Sequence, residues 1–145
     1  MTLKQLTKKI LKQYRIKIPV HYSTDFYVEY KNEKMRALYV PHPSYRPQSI
    51  NELKVHVACV KFTENLIKEN NLSADYYTFA IYHEIGHIIC GVNNFKQYEN
   101  DQNVLAQLIN EGKIDENQYI FLYNILENEQ IANNWAINEL KKNTI

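Results

Sequence analysis

Two histidines four residues apart bracket the stretch His83-Glu84-Ile85-Gly86-His87 near the middle of the chain. On an α-helix, residues i and i+4 lie one above the other, so both rings can aim a nitrogen at one point. Zinc accepts imidazole nitrogen at about 2.0–2.1 Å, and a catalytic site leaves one coordination position open for water. Glu84 lies roughly a quarter turn round the same helix, too far to join both histidines as a ligand. From there it can take a proton from water activated at the metal. This is the chemistry of the HExxH pattern.

A helical histidine pair can also be an ordinary surface or core pair, and the surroundings weigh against that. Residues 73–90 read as a helix with an apolar stripe at Ile81, Ile85, Ile88 and Val92, continuing past its end. His83 and His87 lie on another side, with the small Ala80 one turn before them. In a segment this apolar, polar ring atoms facing away from the stripe need a partner.

Two histidines do not hold catalytic zinc, so a third protein ligand is required. The other histidines, His21, His42 and His56, all precede the motif, which excludes a histidine downstream and points to a carboxylate. Glu129 is followed at i+3 and i+7 by Ala132 and Ala136, with Leu140 continuing that face, so its helix can approach the metal helix closely. Asn133, one turn on from Glu129, can reach the outer ring nitrogen of a metal histidine. Glu99 and Asp101, in or beside a polar stretch, remain alternatives for the third ligand. His56 and Tyr123 are both candidates to stabilise an oxyanion, and the sequence does not choose between them.

The elements that must position these residues can be read in order. Leu3, Leu6, Ile10, Leu11 and Tyr14 recur at helical spacing, predicting an amphipathic helix over 2–15 with a lysine-rich outer face. Residues 26–30 and 36–40, joined by Lys31-Asn32-Glu33-Lys34, read as a β-hairpin. Pro41, Pro43 and Pro47 then mark a loop. Residues 54–62 are β-branched and alternating enough for a strand, although Ser49 and Glu52 resemble a capping box that would start a helix there. The strand is preferred, followed by a short helix over about 64–70. It would form the upper edge of a substrate cleft. Ser73 caps the metal helix, over about 74–90, and Gly91 stops it. Residues 93–100 read as polar loop and 101–111 as a helix ended by Gly112. Asp115 with Gln118 opens a long helix to about Leu140.

At 145 residues, 45% hydrophobic and 23% charged, the chain fits one domain, residues 1–145. A net charge of +1 gives no signature of a nucleic-acid binder. From 97 to 139 every Asp, Glu, Lys or Arg except Lys113 is acidic, which offsets the basic start. Two cysteines, Cys59 and Cys90, are too few for a disulfide framework. With no secretory h-region at the start and no spanning apolar run, the expectation is a cytoplasmic protein with neither membrane nor nucleic-acid partner.

His83-Glu84-Ile85-Gly86-His87, taken with Glu129-Gln130-Ile131-Ala132-Asn133-Asn134-Trp135-Ala136, resembles the ImmA/IrrE family of gluzincin-type peptidases. The family pattern is HE[IL]GH followed by a helix reading E-x-x-A-x-x-[FW]-A. The lead-in Tyr77-Thr78-Phe79-Ala80-Ile81-Tyr82 is similar too. The resemblance implies a small zincin-like α+β domain, with a short antiparallel or mixed sheet packed on the metal helix and helices after it. It also implies zinc held by His83, His87 and Glu129, with Glu84 as general base. The implied activity is limited proteolysis of a transcriptional repressor of a mobile element or stress regulon. No helix-turn-helix accompanies the motif, so that repressor would be a separate chain. A competing expectation is an interaction protein that binds a repressor or host factor without cutting it.

Overall fold

The computed structural model describes residues 3–17, 28–30, 33–35 and 50–142. Within them the chain forms α1 (Leu3–Gln13), β1 (Val28–Tyr30), β2 (Glu33–Met35), α2 (Ile50–Glu69), α3 (Tyr76–Cys90), α4 (Phe95–Asn110), α5 (Glu116–Asn124) and α6 (Glu127–Lys142). This corrects the expected α+β architecture. Among the described residues the fold is helical, and the one sheet is a hairpin of two three-residue strands lying against α2 and not a layer on α3.

The centre of the fold is the seam between α3 and α6. Ile81, Ile85, Ala132, Ala136 and Leu140 are buried along it, Ile85 and both alanines completely. Gly86 sets the spacing. A Cβ there would stand 3.0 Å from the Ala132 carbonyl oxygen and 3.2 Å from its Cα. Hydrogen at this position therefore lets the two backbones meet. Asp75 starts α3 by accepting from the Thr78 amide at 2.9 Å, a cap two residues later than Ser73. Gly91 ends it at φ 74°, its N–H donating to the His87 carbonyl.

α1 packs its apolar face onto this seam through Ile10 and Leu11, and leaves Lys8, Lys9 and Lys12 exposed. Tyr14 stands edge-on to Tyr82, with ring centroids 5.6 Å apart, and to Trp135 at 5.4 Å.

The strand expected over 54–62 is instead the middle of α2, and the short helix after it is the end of the same element. Exposed residues include Lys54, Val57, Lys61, Glu64 with Asn65, and Lys68 with Glu69, a face that recurs every three to four residues as on a helix. Ala58, Val60 and Thr63 are buried between them. β-Branched composition yielded to tertiary packing. The helix begins one residue after Ser49, where the capping-box reading would start it; Ser49 itself lies outside the described residues. In the hairpin Val28 pairs with Met35 and Tyr30 with Glu33, leaving a two-residue connection and a second strand earlier than 36–40. The 36–40 segment and the proline loop lie outside the described residues.

Two further differences bear on the site. α4 begins at Phe95, so most of the expected polar loop is helix. The long helix expected from Asp115 is broken at Ile125-Leu126 into α5 and α6. Asp115 does form its capping box with Gln118. In an unbroken helix residues 124 and 133 would stand about 13–14 Å apart along the axis. The break brings Asn133 Nδ2 to 3.0 Å from Asn124 Oδ1.

Candidate metal centre

α3 supplies His83 and His87, α6 supplies Glu129, and the Gly86–Ala132 contact brings their side chains to one point. His83 Nε2 lies 3.1 Å from Glu129 Oε1 and 3.1 Å from His87 Nε2, which is 3.0 Å from Glu129 Oε2. Three ligands at zinc distances in a tetrahedral arrangement stand about 3.3 Å apart, so this triangle is nearly of that size. Among the described residues no other group of three or more His, Cys, Asp or Glu comes together in this way.

The protonation of His83 can be read from a chain that starts at a backbone carbonyl. Ile120 O can only accept, so the Asn124 atom 2.8 Å away is its Nδ2 donor. Asn124 Oδ1 then accepts from Asn133 Nδ2, which turns Asn133 Oδ1 toward His83 Nδ1 at 2.7 Å. His83 Nδ1 must carry the hydrogen, and its neutral ring presents a bare Nε2 lone pair to the triangle. A proton placed there serves two of the three atoms, whereas a divalent cation serves all three. The donor set therefore fits zinc.

Charge in the triangle is strongly coupled. Burial pulls His83 down, but the hydrogen bond to Glu129 and the charges of Glu84 and Glu129 outweigh it and hold the imidazolium up to about 9. Burial pushes the Glu129 carboxyl up, yet the hydrogen bonds from His83 and His87 keep it far below the usual range. Glu84 is half-buried on α3, and burial raises its pKa against the opposing pull of both histidines. A carboxylate with a raised pKa is a better proton acceptor.

Glu99 is exposed on α4, and Asp101 accepts from Gln97 Nε2 at 2.8 Å; neither joins the triangle. Tyr123 accepts from Gln102 Nε2 at 3.3 Å and is hydrogen-bonded to Tyr98, one residue removed from Glu129. The His56 side chain lies outside the described residues. Sequence reasoning missed Tyr98, whose hydroxyl donates to Glu129 Oε2. Its signal was present: Tyr98, Asp101, Gln102, Leu105, Leu108 and Ile109 are the less exposed positions at helical spacing, obscured by amides and charges. It also missed Asn128, whose side chain accepts from the Asn93 N–H at 2.9 Å and donates to its carbonyl at 2.8 Å. That pair of bonds fastens the start of α4 to α6 one residue before Glu129.

No protein-family model, curated protein or solved structure matches this chain. No helix among the described residues is long and apolar enough to cross a membrane.

Proposed function

We propose that this protein is a zinc-dependent endopeptidase of the HExxH gluzincin type that performs limited proteolysis on a separately encoded repressor. The observation that carries the metal reading is the triangle of His83, His87 and Glu129, whose His83 nitrogen is bare in the neutral ring. The resemblance of the two motifs to ImmA/IrrE peptidases supports the substrate class. Zinc held by His83, His87 and Glu129 would supply Lewis-acid chemistry and lower the pKa of a water molecule to about 7.

The remaining steps belong to side chains. Asn133 holds the His83 ring in the tautomer that leaves Nε2 free, and is itself held by Asn124. Glu84, beside the triangle, takes the proton from the attacking water. Glu129, sealed in the α3–α6 seam, balances the charge of the cation.

The test is incubation with repressors encoded beside this protein's gene, with and without a chelator. Cleavage that stops with chelator, and stops in Glu84→Gln while zinc is retained, is the expected result. Binding with no chelator-sensitive cleavage would replace the enzyme with a non-cutting interaction protein.

A further inference from the structure

Glu129 presents its carboxylate broadside. Oε1 faces His83 Nε2 at 3.1 Å and Oε2 faces His87 Nε2 at 3.0 Å, so both oxygens look into the place a cation would occupy. A carboxylate in this posture can bind metal through one oxygen or chelate through two. The choice matters, because a second oxygen added beside the water of a hydrolytic site would raise the coordination number from four to five. One group breaks the symmetry. The Tyr98 hydroxyl donates to Oε2 and not to Oε1.

We propose that Tyr98 is a positioning residue that keeps Glu129 a one-oxygen ligand. By committing Oε2 to a hydrogen bond, it leaves Oε1 as the one carboxylate donor and keeps the site, with its water, at four. This rests on the metal reading above and adds to it the device that sets coordination number. Hydrogen bonding by an ionised acceptor is strong, and the donor here is backed by others. Gln102 donates to Tyr123, whose hydroxyl is hydrogen-bonded to that of Tyr98. Tyr98 is also held in place independently of the metal. It stands four residues into α4 from Asn94, and the Asn128–Asn93 pair of bonds fixes that end of α4 beside Glu129. A tyrosine that merely filled space would not need its hydroxyl aimed at one oxygen of a buried carboxylate.

The experiment uses the full chain loaded with cobalt(II), whose visible absorption is intense at coordination number four and intermediate at five. In wild type the intense spectrum is expected. Tyr98→Phe keeps the ring and loses the hydroxyl; it should still bind one metal, with affinity lowered about tenfold, and its visible bands should fall at least twofold as Oε2 swings in. Tyr123→Phe leaves the Tyr98–Glu129 bond in place and should keep the wild-type spectrum. X-ray absorption on the wild-type zinc protein checks the same point without any substitution, with four nitrogen or oxygen neighbours expected. Five neighbours in wild type, a wild-type spectrum in Tyr98→Phe, or a folded Tyr98→Phe that takes up no metal would each overturn the assignment. Failure of wild type to bind zinc or cobalt at all would instead remove the metal reading, and Tyr98's role with it.

Discussion

Two of the seams between the helices of this protein are built differently. Between α3 and α6 the backbones nearly touch at Gly86 and Ala132, and the space beside that contact holds a buried carboxylate, two imidazoles and a chain of amides. α2 and α5 also pack together, and each keeps a buried apolar residue, Ala58 on one element and Ile120 on the other. The first seam places polar atoms to within a few tenths of an ångström, and so has no slack. The second only removes apolar surface from water and can be filled in many ways. The candidate metal centre sits in the seam with small residues, where backbone contact holds the donors close.

The largest effect comes from deleting the charge in the first seam. Glu129→Ala should reduce zinc from about one per chain to trace after dialysis, measured by elemental analysis, since a structural ligand set of two seldom holds the metal. Ile120→Val, in the second seam, should leave zinc unchanged. Retention of zinc in Glu129→Ala would erase the distinction between the seams as far as metal is concerned.

The same seam should show itself in pH dependence once zinc has been chelated. His83 is raised from 6.5 to about 9, so its proton contributes stability that is complete below 6.5 and lost as pH rises through 9. Glu129 is lowered, so its contribution is present above its ordinary 4.5 and lost only in stronger acid. Chelated protein should therefore be most stable in mildly acidic solution and lose stability as pH rises through about 9, the raised Glu84 adding to the fall. Adding zinc replaces the proton on His83, and the gain in melting temperature from zinc should be greatest at the alkaline end. Equal gain at pH 6 and pH 9 in calorimetry would mean His83 is not the group involved.

A single methyl probes the close contact itself. Gly86→Ala gains roughly 1 kcal/mol of helix propensity, but overpacking against a backbone typically costs about 1–3 kcal/mol. The Ala132 oxygen at 3.0 Å cannot move aside as a side chain would, and Trp135 Cε3 is 3.3 Å away on the other side. Urea unfolding should show net destabilisation near 1 kcal/mol, with weaker zinc binding because α6 carries Glu129 away from the histidines. Neutral stability with wild-type zinc affinity would show that the seam does have slack.

The first seam was also the more legible in the sequence. His83 and His87 declare a helix and its facing by their spacing alone, and Glu129 is marked by Ala132 and Ala136 on its own face. Both signals are local. α2 offered β-branched residues at Val55, Val57 and Val60, whose strand preference is context-dependent, and tertiary packing decided against it. The break at Ile125 carries no glycine or proline, because it is stabilised across space by Asn124 and Asn133. Tyr98 was harder to see for a related reason: the helical spacing around it marks an inward face, but its partner Glu129 is 31 residues away and that spacing does not point to it.

The smallest effect tests the second seam at its edge. Val57 is 38% exposed on α2, between the buried Ala58 and Val60 and the outward Lys54 and Lys61. In a helix its side chain shares the outer face with those lysines, so Val57→Glu should change stability by no more than about 0.5 kcal/mol. It adds an acid three residues after Lys54 and four before Lys61, spacings at which opposite charges attract weakly. Were residues 54–62 a strand, Val57 would share a face with Val55, Cys59 and Lys61, and a charge there would meet whichever layer buried Cys59. A loss of 2 kcal/mol or more in urea unfolding would thus reverse both the helical reading of α2 and the tolerance ascribed to its seam, whereas a near-zero change separates that seam from the one Gly86 closes.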